Sequence, residues 1–280
     1  MNLCSPNEVR RILDEIKLAP GKSMGQNFLI DANILRIIIE RAELKTSDRV
    51  LEIGPGLGVL TQAMLPLVES LTAIEKDRKL HNFLEESLGG AANLDLIQAD
   101  ALDVDLPALL AGGINKFVSN LPYSVGSRIL FDVFCAARRP ELVLATLQHD
   151  VAARIVAPVG DREYGLLAIL AQRFYDVEIA KEIGANCFLP RPRVGSALLL
   201  CRRRERPLVE VRDEACFLRL VKMSFTHRRK VMSNSLRGAG FAAEQIEAAL
   251  AQAGIDPQLR PAQLAPADWG RLADALFESA

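Results

Sequence analysis

Asn120-Leu121-Pro122-Tyr123 carries the most specific chemistry in this 280-residue chain. It follows Lys116-Phe117-Val118-Ser119, an apolar run that reads as a buried strand. Pro122 stops the ladder because it has no N–H to donate. An amide and an aromatic ring are left at a strand's end, a pairing that suits a planar group carrying an amino nitrogen. The Asn120 side-chain oxygen and the Leu121 carbonyl can accept the two amine hydrogens while the Tyr123 ring stacks on the base. A tetrapeptide alone reads more simply as a strand-end turn with a packed Tyr, so its meaning depends on what precedes it.

Val50-Leu51-Glu52-Ile53-Gly54-Pro55-Gly56-Leu57-Gly58 is a strand running into a Gly-rich turn and then a helix. Glycines allow a sharp turn and close backbone approach to a ligand that faces the helix N-terminus. The spacing is G-x-G-x-G, and Val59 stands where a dinucleotide fingerprint has its third Gly, which favours a ligand without a pyrophosphate. Glu75 closes the next apolar run, 21 residues after Gly54. A carboxylate there suits a ribose diol through two charge-assisted hydrogen bonds of about 1.5–3 kcal/mol each. Asp100 closes the third strand, where it can accept an adenine amine, and Asn120 closes the fourth. Gly54, Glu75, Asp100 and Asn120 thus form an ordered series at the carboxyl edge of a sheet, where open α/β sheets bind ligands.

The elements that must position this series are legible as alternation. Candidate strands are Arg49–Ile53, Leu71–Glu75, Leu94–Gln98, Lys116–Ser119, Leu142–Leu147, Val177–Ile183 and Ala197–Arg202, with helices near Val59–Leu67, Arg78–Leu88, Arg128–Ala137 and Val151–Val156. This predicts a doubly wound α/β sheet whose last two strands pair antiparallel at an edge. Before it, Ser5-Pro6-Asn7-Glu8 has the form of a capping box opening a helix that Pro20-Gly21 ends, and Asp31 is placed to cap a second helix. From Asp213 the pattern is helical, with an amphipathic stretch around Phe217–Phe225 and segments starting near Ala242, Gln258 and Ala267. A boundary between Glu205 and Asp213 divides 1–208, with the sheet, from a small all-helical domain, 209–280.

Half of the residues are hydrophobic and a quarter charged, an ordinary globular composition. No apolar span is long enough to cross a bilayer, and the N-terminus lacks the form of a signal peptide. Five scattered cysteines without a C-x-x-C suggest reduced thiols in a cytoplasmic protein, and the three histidines support no metal site. The net charge of −1 conceals an asymmetry: from Arg191 to Arg237, 13 basic residues face four acidic ones, a local +9. Such a section is a candidate surface for a polyanion.

The strand-end series resembles the class I methyltransferases that use S-adenosylmethionine, and Asn-Leu-Pro-Tyr resembles their amino-methylating signature. Lys22-Ser23-Met24-Gly25-Gln26-Asn27-Phe28-Leu29 is similar to the N-terminal loop of the ribosomal RNA adenine dimethyltransferases. Phe188-Leu189-Pro190-Arg191-Pro192-Arg193-Val194-Gly195-Ser196 matches that family's F-x-P-x-P-x-V-x-S segment. Phe217 to Leu236 resembles its C-terminal signature, with His227 where Gln is usual. The resemblance implies a Rossmann-like domain that binds S-adenosylmethionine, with Asn27 and Leu29 lining the pocket, Gly54 beneath the cofactor, Glu75 on the ribose and Asp100 on the adenine amine. It places Asn120 between cofactor and substrate, with Tyr123 against the target base and Phe188 as a second face. Arg202-Arg203-Arg204 and Arg228-Arg229-Lys230 are the candidates for RNA phosphates. The implied reaction is double methylation of two adjacent adenosines near the 3′ end of small-subunit (16S) ribosomal RNA, by a monomer acting on an assembling subunit without metal or membrane. Rival readings are a large-subunit adenine methyltransferase, an RNA- or DNA-binding factor that no longer methylates, and, more distantly, a nicotinamide dehydrogenase.

Overall fold

In a computed structural model, residues 2–18, 26–238 and 240–278 are described. The Lys22–Gly25 half of the N-terminal motif and the expected Pro20-Gly21 stop lie outside them. The strands are β1 (Phe28–Leu29), β2 (Arg49–Ile53), β3 (Ser70–Glu75), β4 (Leu94–Gln98), β5 (Lys116–Asn120), β6 (Leu142–Gln148), β7 (Tyr175–Ile183), β8 (Phe188–Leu189) and β9 (Ser196–Arg203). The helices are α1 (Pro6–Glu15), α2 (Ala32–Ala42), α3 (Val59–Met64), α4 (Arg78–Leu88), α5 (Leu106–Ala111), α6 (Gly126–Cys135), α7 (His149–Val156), α8 (Leu166–Phe174), α9 (Glu214–Thr226), α10 (Met232–Gly238), α11 (Ala243–Ala253) and α12 (Pro266–Glu278).

Seven strands form one sheet in the order β4-β3-β2-β5-β6-β9-β7. β2 pairs parallel with both β3 and β5, so the chain reverses its direction of travel across the sheet at β2. That crevice, outside the carboxyl ends of β2 and β5, is the switch point where such sheets take ligands. β9 and β7 are neighbours at the edge, as expected; β9 also runs antiparallel to β6, Leu142 opposite Arg202 through Gln148 opposite Ser196. β1 and β8 form a separate two-stranded antiparallel pair, Phe28 opposite Leu189 and Leu29 opposite Phe188.

The chain divides into two compact units, 1–152 with 178–203, and 153–177 with 204–280. Residues 153–177 therefore group with the C-terminal helices, whereas the continuous boundary drawn from sequence kept them with the sheet. In that second unit, buried Arg173 on α8 makes a two-pronged ion pair with Glu214 on α9 at 2.7 Å and lies between the Phe174 and Phe217 rings at 4.5 and 4.6 Å. α8 and α5 escape a periodicity reading, α8 because Leu-Leu-Ala-Ile-Leu-Ala is apolar on every side. The helix expected from Gln258 is absent: Pro257 and Pro261 break the segment, which holds only a single 3-10 turn, Pro261–Gln263. Asp31 caps α2 through the N–H groups of Asn33 and Ile34. Ser5 heads α1 without a side-chain cap, and Glu8 pairs with Arg11 instead of closing a capping box.

A buried cluster locks α2 to the sheet. Lys116 Nζ, at the start of β5, lies 2.9 Å from the Asp48 carboxylate, donates to the Ala42 carbonyl at 2.8 Å and also bonds the Glu43 carbonyl at the end of α2. Asn115 Nδ2 and the Lys45 N–H supply Asp48 with two more donors at 2.8 and 2.7 Å. Against the cost of burial, these donors hold the Asp48 carboxyl below its ordinary value. Lys116→Met would strand that carboxylate. We expect the variant to lose about 3–5 kcal/mol of unfolding free energy in urea titrations; a loss below about 1 kcal/mol would contradict this role.

Candidate active site

The carboxyl ends of β2, β3 and β5, with the chain after β4, surround a cavity of about 300 Å³ lined in part by Asn27, Leu29, Gly54, Glu75, Asp100 and Asn120. Six residues expected at a cofactor pocket thus meet in one place. Glycine at 54 is required there. Its φ is +69°, and a Cβ would stand 3.0 Å from Pro122 Cγ, so the turn after β2 and the Asn-Leu-Pro-Tyr segment pack directly on one another.

Asn120, the last residue of β5, is pinned from one side only. Its Nδ2 donates to the Asn27 carbonyl at 2.9 Å, while its Oδ1 is buried and has no hydrogen-bond partner. Just before it, Ser119 Oγ donates to the Ile53 carbonyl at 2.5 Å, and just after it the Leu121 N–H donates to the Thr146 carbonyl at 3.0 Å. The backbone is therefore held on both flanks while the amide oxygen stays available. A buried acceptor left in this state costs about 1–3 kcal/mol, and such a cost marks a place where a ligand donor belongs.

Glu75 ends β3 and accepts from the N–H groups of Gly56 at 3.1 Å and Asp77 at 2.8 Å. Burial pushes its carboxyl up to about 7 against those two donors. Asp100 lies two residues beyond β4. Its Oδ2 pairs with Lys76 Nζ at 2.6 Å and its Oδ1 accepts from the Leu102 N–H at 3.0 Å, contacts that hold it below its ordinary range. These are carboxylates whose lone pairs are only partly occupied, one fit for a diol and one for an amine.

Two expected residues lie elsewhere. Tyr123 does not line the cavity; it is half-buried, and its hydroxyl bonds to Ser196 Oγ. Phe188, expected as a second face for a base, is 1 % exposed within the core beside Leu29 and Ile34, so in this conformation its ring is not open to one. The arginines at the end of β9 do not converge: Arg202 pairs with Glu43 at 2.6 Å, Arg203 bonds the Arg139 carbonyl at 2.6 Å, and Arg204 pairs with Asp176 at 2.7 Å. Lys230 is exposed, whereas Arg228 and Arg229 meet Arg162 and Arg260 around a second cleft of about 370 Å³.

Among the lining residues to which the sequence reading gave no role are Gln26, Glu52 and Lys76. Gln26 Oε1 is a second buried acceptor without a partner. Glu52 is a carboxyl inside the otherwise apolar Val50–Ile53 run, a signal open to a sequence reader. It accepts from Thr61 Oγ1 at 2.7 Å, and burial pushes it up to about 8, with the Thr61 bond opposing and the Glu75 charge adding to the rise.

Glu52 and Glu75 both hold their protons to higher pH folded than unfolded, where the ordinary value is 4.5. At these two sites the folded chain therefore binds more protons than the unfolded one from about pH 4.5 to 8, and their contribution to stability falls as pH rises through that window. We expect the ligand-free chain to lose up to about 1.4 kcal/mol per pH unit for each carboxyl. Urea midpoints at pH 5.5 and 8 should converge in Glu52→Gln relative to the unsubstituted chain; an unchanged gap would contradict the assignment.

A family model described as ribosomal RNA adenine dimethylase matches residues 19–277. Curated relatives named ribosomal RNA small subunit methyltransferase A include that of Moorella thermoacetica, 39% identical over 92% of this chain and 93% of the relative. The protein of that name from Shouchella clausii is 38% identical over 99% of this chain and 97% of its own. Among solved structures, a dimethyladenosine transferase from Plasmodium falciparum has the same fold, with a TM-score of 0.74 at 23% identity over 87% of this chain and 95% of the other. The 23S rRNA methyltransferase ErmE gives a TM-score of 0.64 at 29% identity over 90% of this chain and all of the other. The chain belongs to the ribosomal RNA adenine dimethylase family.

Proposed function

We propose that this chain transfers methyl groups from S-adenosylmethionine to the N6 atoms of two adjacent adenosines in the 3′-terminal hairpin loop of small-subunit (16S) ribosomal RNA, twice to each, during subunit assembly. The observation that carries the reading is the Asn120 amide: its nitrogen is spent on Asn27, its buried oxygen has no partner, and the residue lines the same cavity as Glu75 and Asp100.

The cofactor fits the residues present. Glu75 would take the ribose diol, Asp100 the adenine amine, and the orphaned Gln26 and Asn120 oxygens are acceptors awaiting donors. Bound there, it supplies a methyl group already activated on a sulfonium. The chain's task is the nucleophile, an exocyclic amine whose lone pair is delocalised into the ring. Asn120 Oδ1 and the Leu121 carbonyl would accept its two hydrogens and favour a pyramidal nitrogen. They would also stabilise the positive charge that develops there, a contribution that grows toward the transition state. Tyr123 would stack on the base and hold the nitrogen in line with the methyl group. Among the described residues no group of three or more His, Cys, Asp or Glu is placed to hold a metal ion.

Phosphates would be taken by the helical unit. Arg228 and Arg229, with Arg162 and Arg260, line one cleft; Arg228 bonds the Arg162 and Tyr164 carbonyls and Arg162 pairs with Glu163, yet four basic residues gather in one place there, as a polyanion requires. An unpaired loop is the expected target, since its adenines are extruded at little cost. The name of the curated relatives supports the small subunit, whereas the likeness to ErmE keeps the large subunit as the rival.

Incubation with radiolabelled cofactor and separated ribosomal subunits from a strain lacking the modification distinguishes them. We expect label in the small subunit, recovered as N6,N6-dimethyladenosine. Label confined to the large subunit, or none in either, would overturn the reading.

A further inference from the structure

The segment Phe188-Leu189-Pro190-Arg191-Pro192-Arg193-Val194-Gly195-Ser196 has, in the reaction above, nothing to do beyond its first residue, and that residue is buried. One of its ends nevertheless touches the amine-binding tetrapeptide, and the other is linked to it through β1. At the start, β8 pairs with β1, and the Ile30 N–H donates to the Cys187 carbonyl at 2.8 Å. β1 directly follows Asn27, the residue whose carbonyl holds the Asn120 amide. At the other end, Ser196 Oγ bonds the Tyr123 hydroxyl. The segment is a strap with one end linked to the amide through β1 and the other on the ring.

The Ser196 end is rigid. Ser196 is 2 % exposed, opens β9 opposite Gln148, and follows Gly195, whose carbonyl accepts from the His149 N–H at 2.9 Å. Tyr123, by contrast, sits in the turn between β5 and α6, where two side-chain torsions set the tilt of its ring. A hydrogen bond at the para position acts at the end of the longest lever on that ring, so it sets the tilt most strictly.

We infer that Ser196 is a positioning residue: through the Tyr123 hydroxyl it sets the tilt of the stacking ring, and so the room beside an amine that already carries one methyl group. The inference rests on the reading of Tyr123 as the surface on which the base stacks. The second transfer should depend on Ser196 more than the first. A monomethylated nitrogen has a substituent to place as well as a lone pair to align, and a loosened ring admits orientations in which that lone pair points away from the methyl donor.

The test compares Ser196→Ala, Tyr123→Phe and the double variant of the full chain on unmethylated small subunits, scoring kcat, KM for the cofactor and the ratio of mono- to dimethyladenosine. Each single substitution should lower kcat by roughly three- to tenfold, the scale of one neutral hydrogen bond used for alignment. KM for the cofactor should stay unchanged, the monomethyl share should rise, and the double variant should be no worse than either single. An unaltered product ratio in Tyr123→Phe, which keeps the ring and leaves Ser196 itself in place, would overturn the inference even if Ser196→Ala fails to fold. Additive losses in the double variant would overturn it as well. If the unsubstituted chain does not methylate small subunits, the proposed function itself fails, and this inference with it.

Discussion

The hydrogen bond from Asn120 Nδ2 to the Asn27 carbonyl is the constraint on which the site depends. A primary amide has two chemically opposite ends, and committing the nitrogen leaves the buried oxygen as the end without a partner. Without that commitment the Asn120 amide could present either its donor or its acceptor end. The remaining architecture serves this bond. β8 holds β1, which places Asn27. Ser119 ties β5 to β2, and Pro122 rests on Gly54, where no side chain could be accommodated. Three stretches far apart in sequence thus converge on one amide.

Electrostatics divides the cavity's carboxyls by environment. Asp100, next to Lys76, is kept ionised, whereas Glu75 titrates near neutrality and Glu52 above it because burial outweighs their donors. A ligand that brings hydroxyl donors to Glu75 would stabilise its charged form, so cofactor binding and ionisation of that carboxyl are coupled. Burial thus works against three full negative charges accumulating in the ligand-free cavity.

Much of this is legible in the sequence because strand ends are marked locally. The apolar runs of the sheet match the observed strands to within about two residues, the usual scatter of such boundaries, and Gly54, Glu75, Asp100 and Asn120 follow from their positions after those runs. What eludes sequence reading depends on tertiary geometry. Nothing local says that Ser196 meets Tyr123, that Asn27 reaches Asn120 across 93 positions, or that Arg162 and Arg260 join Arg228 and Arg229. The Arg202–Arg204 run shows the converse. Arg202 and Arg203 end β9 on opposite faces, Arg204 follows just outside it, and the three find separate partners, so a charge run in sequence need not be a charged site in space.

The central claim, that the Asn120 oxygen accepts the reacting amine, is tested most directly by single-turnover methyl transfer in Asn120→Ala at saturating cofactor and small subunit. The account predicts a rate lower by on the order of 100-fold or more, as for removal of one preorganised polar group from a transition state, while binding of the subunit persists. A rate within a few-fold of the unsubstituted chain would contradict it.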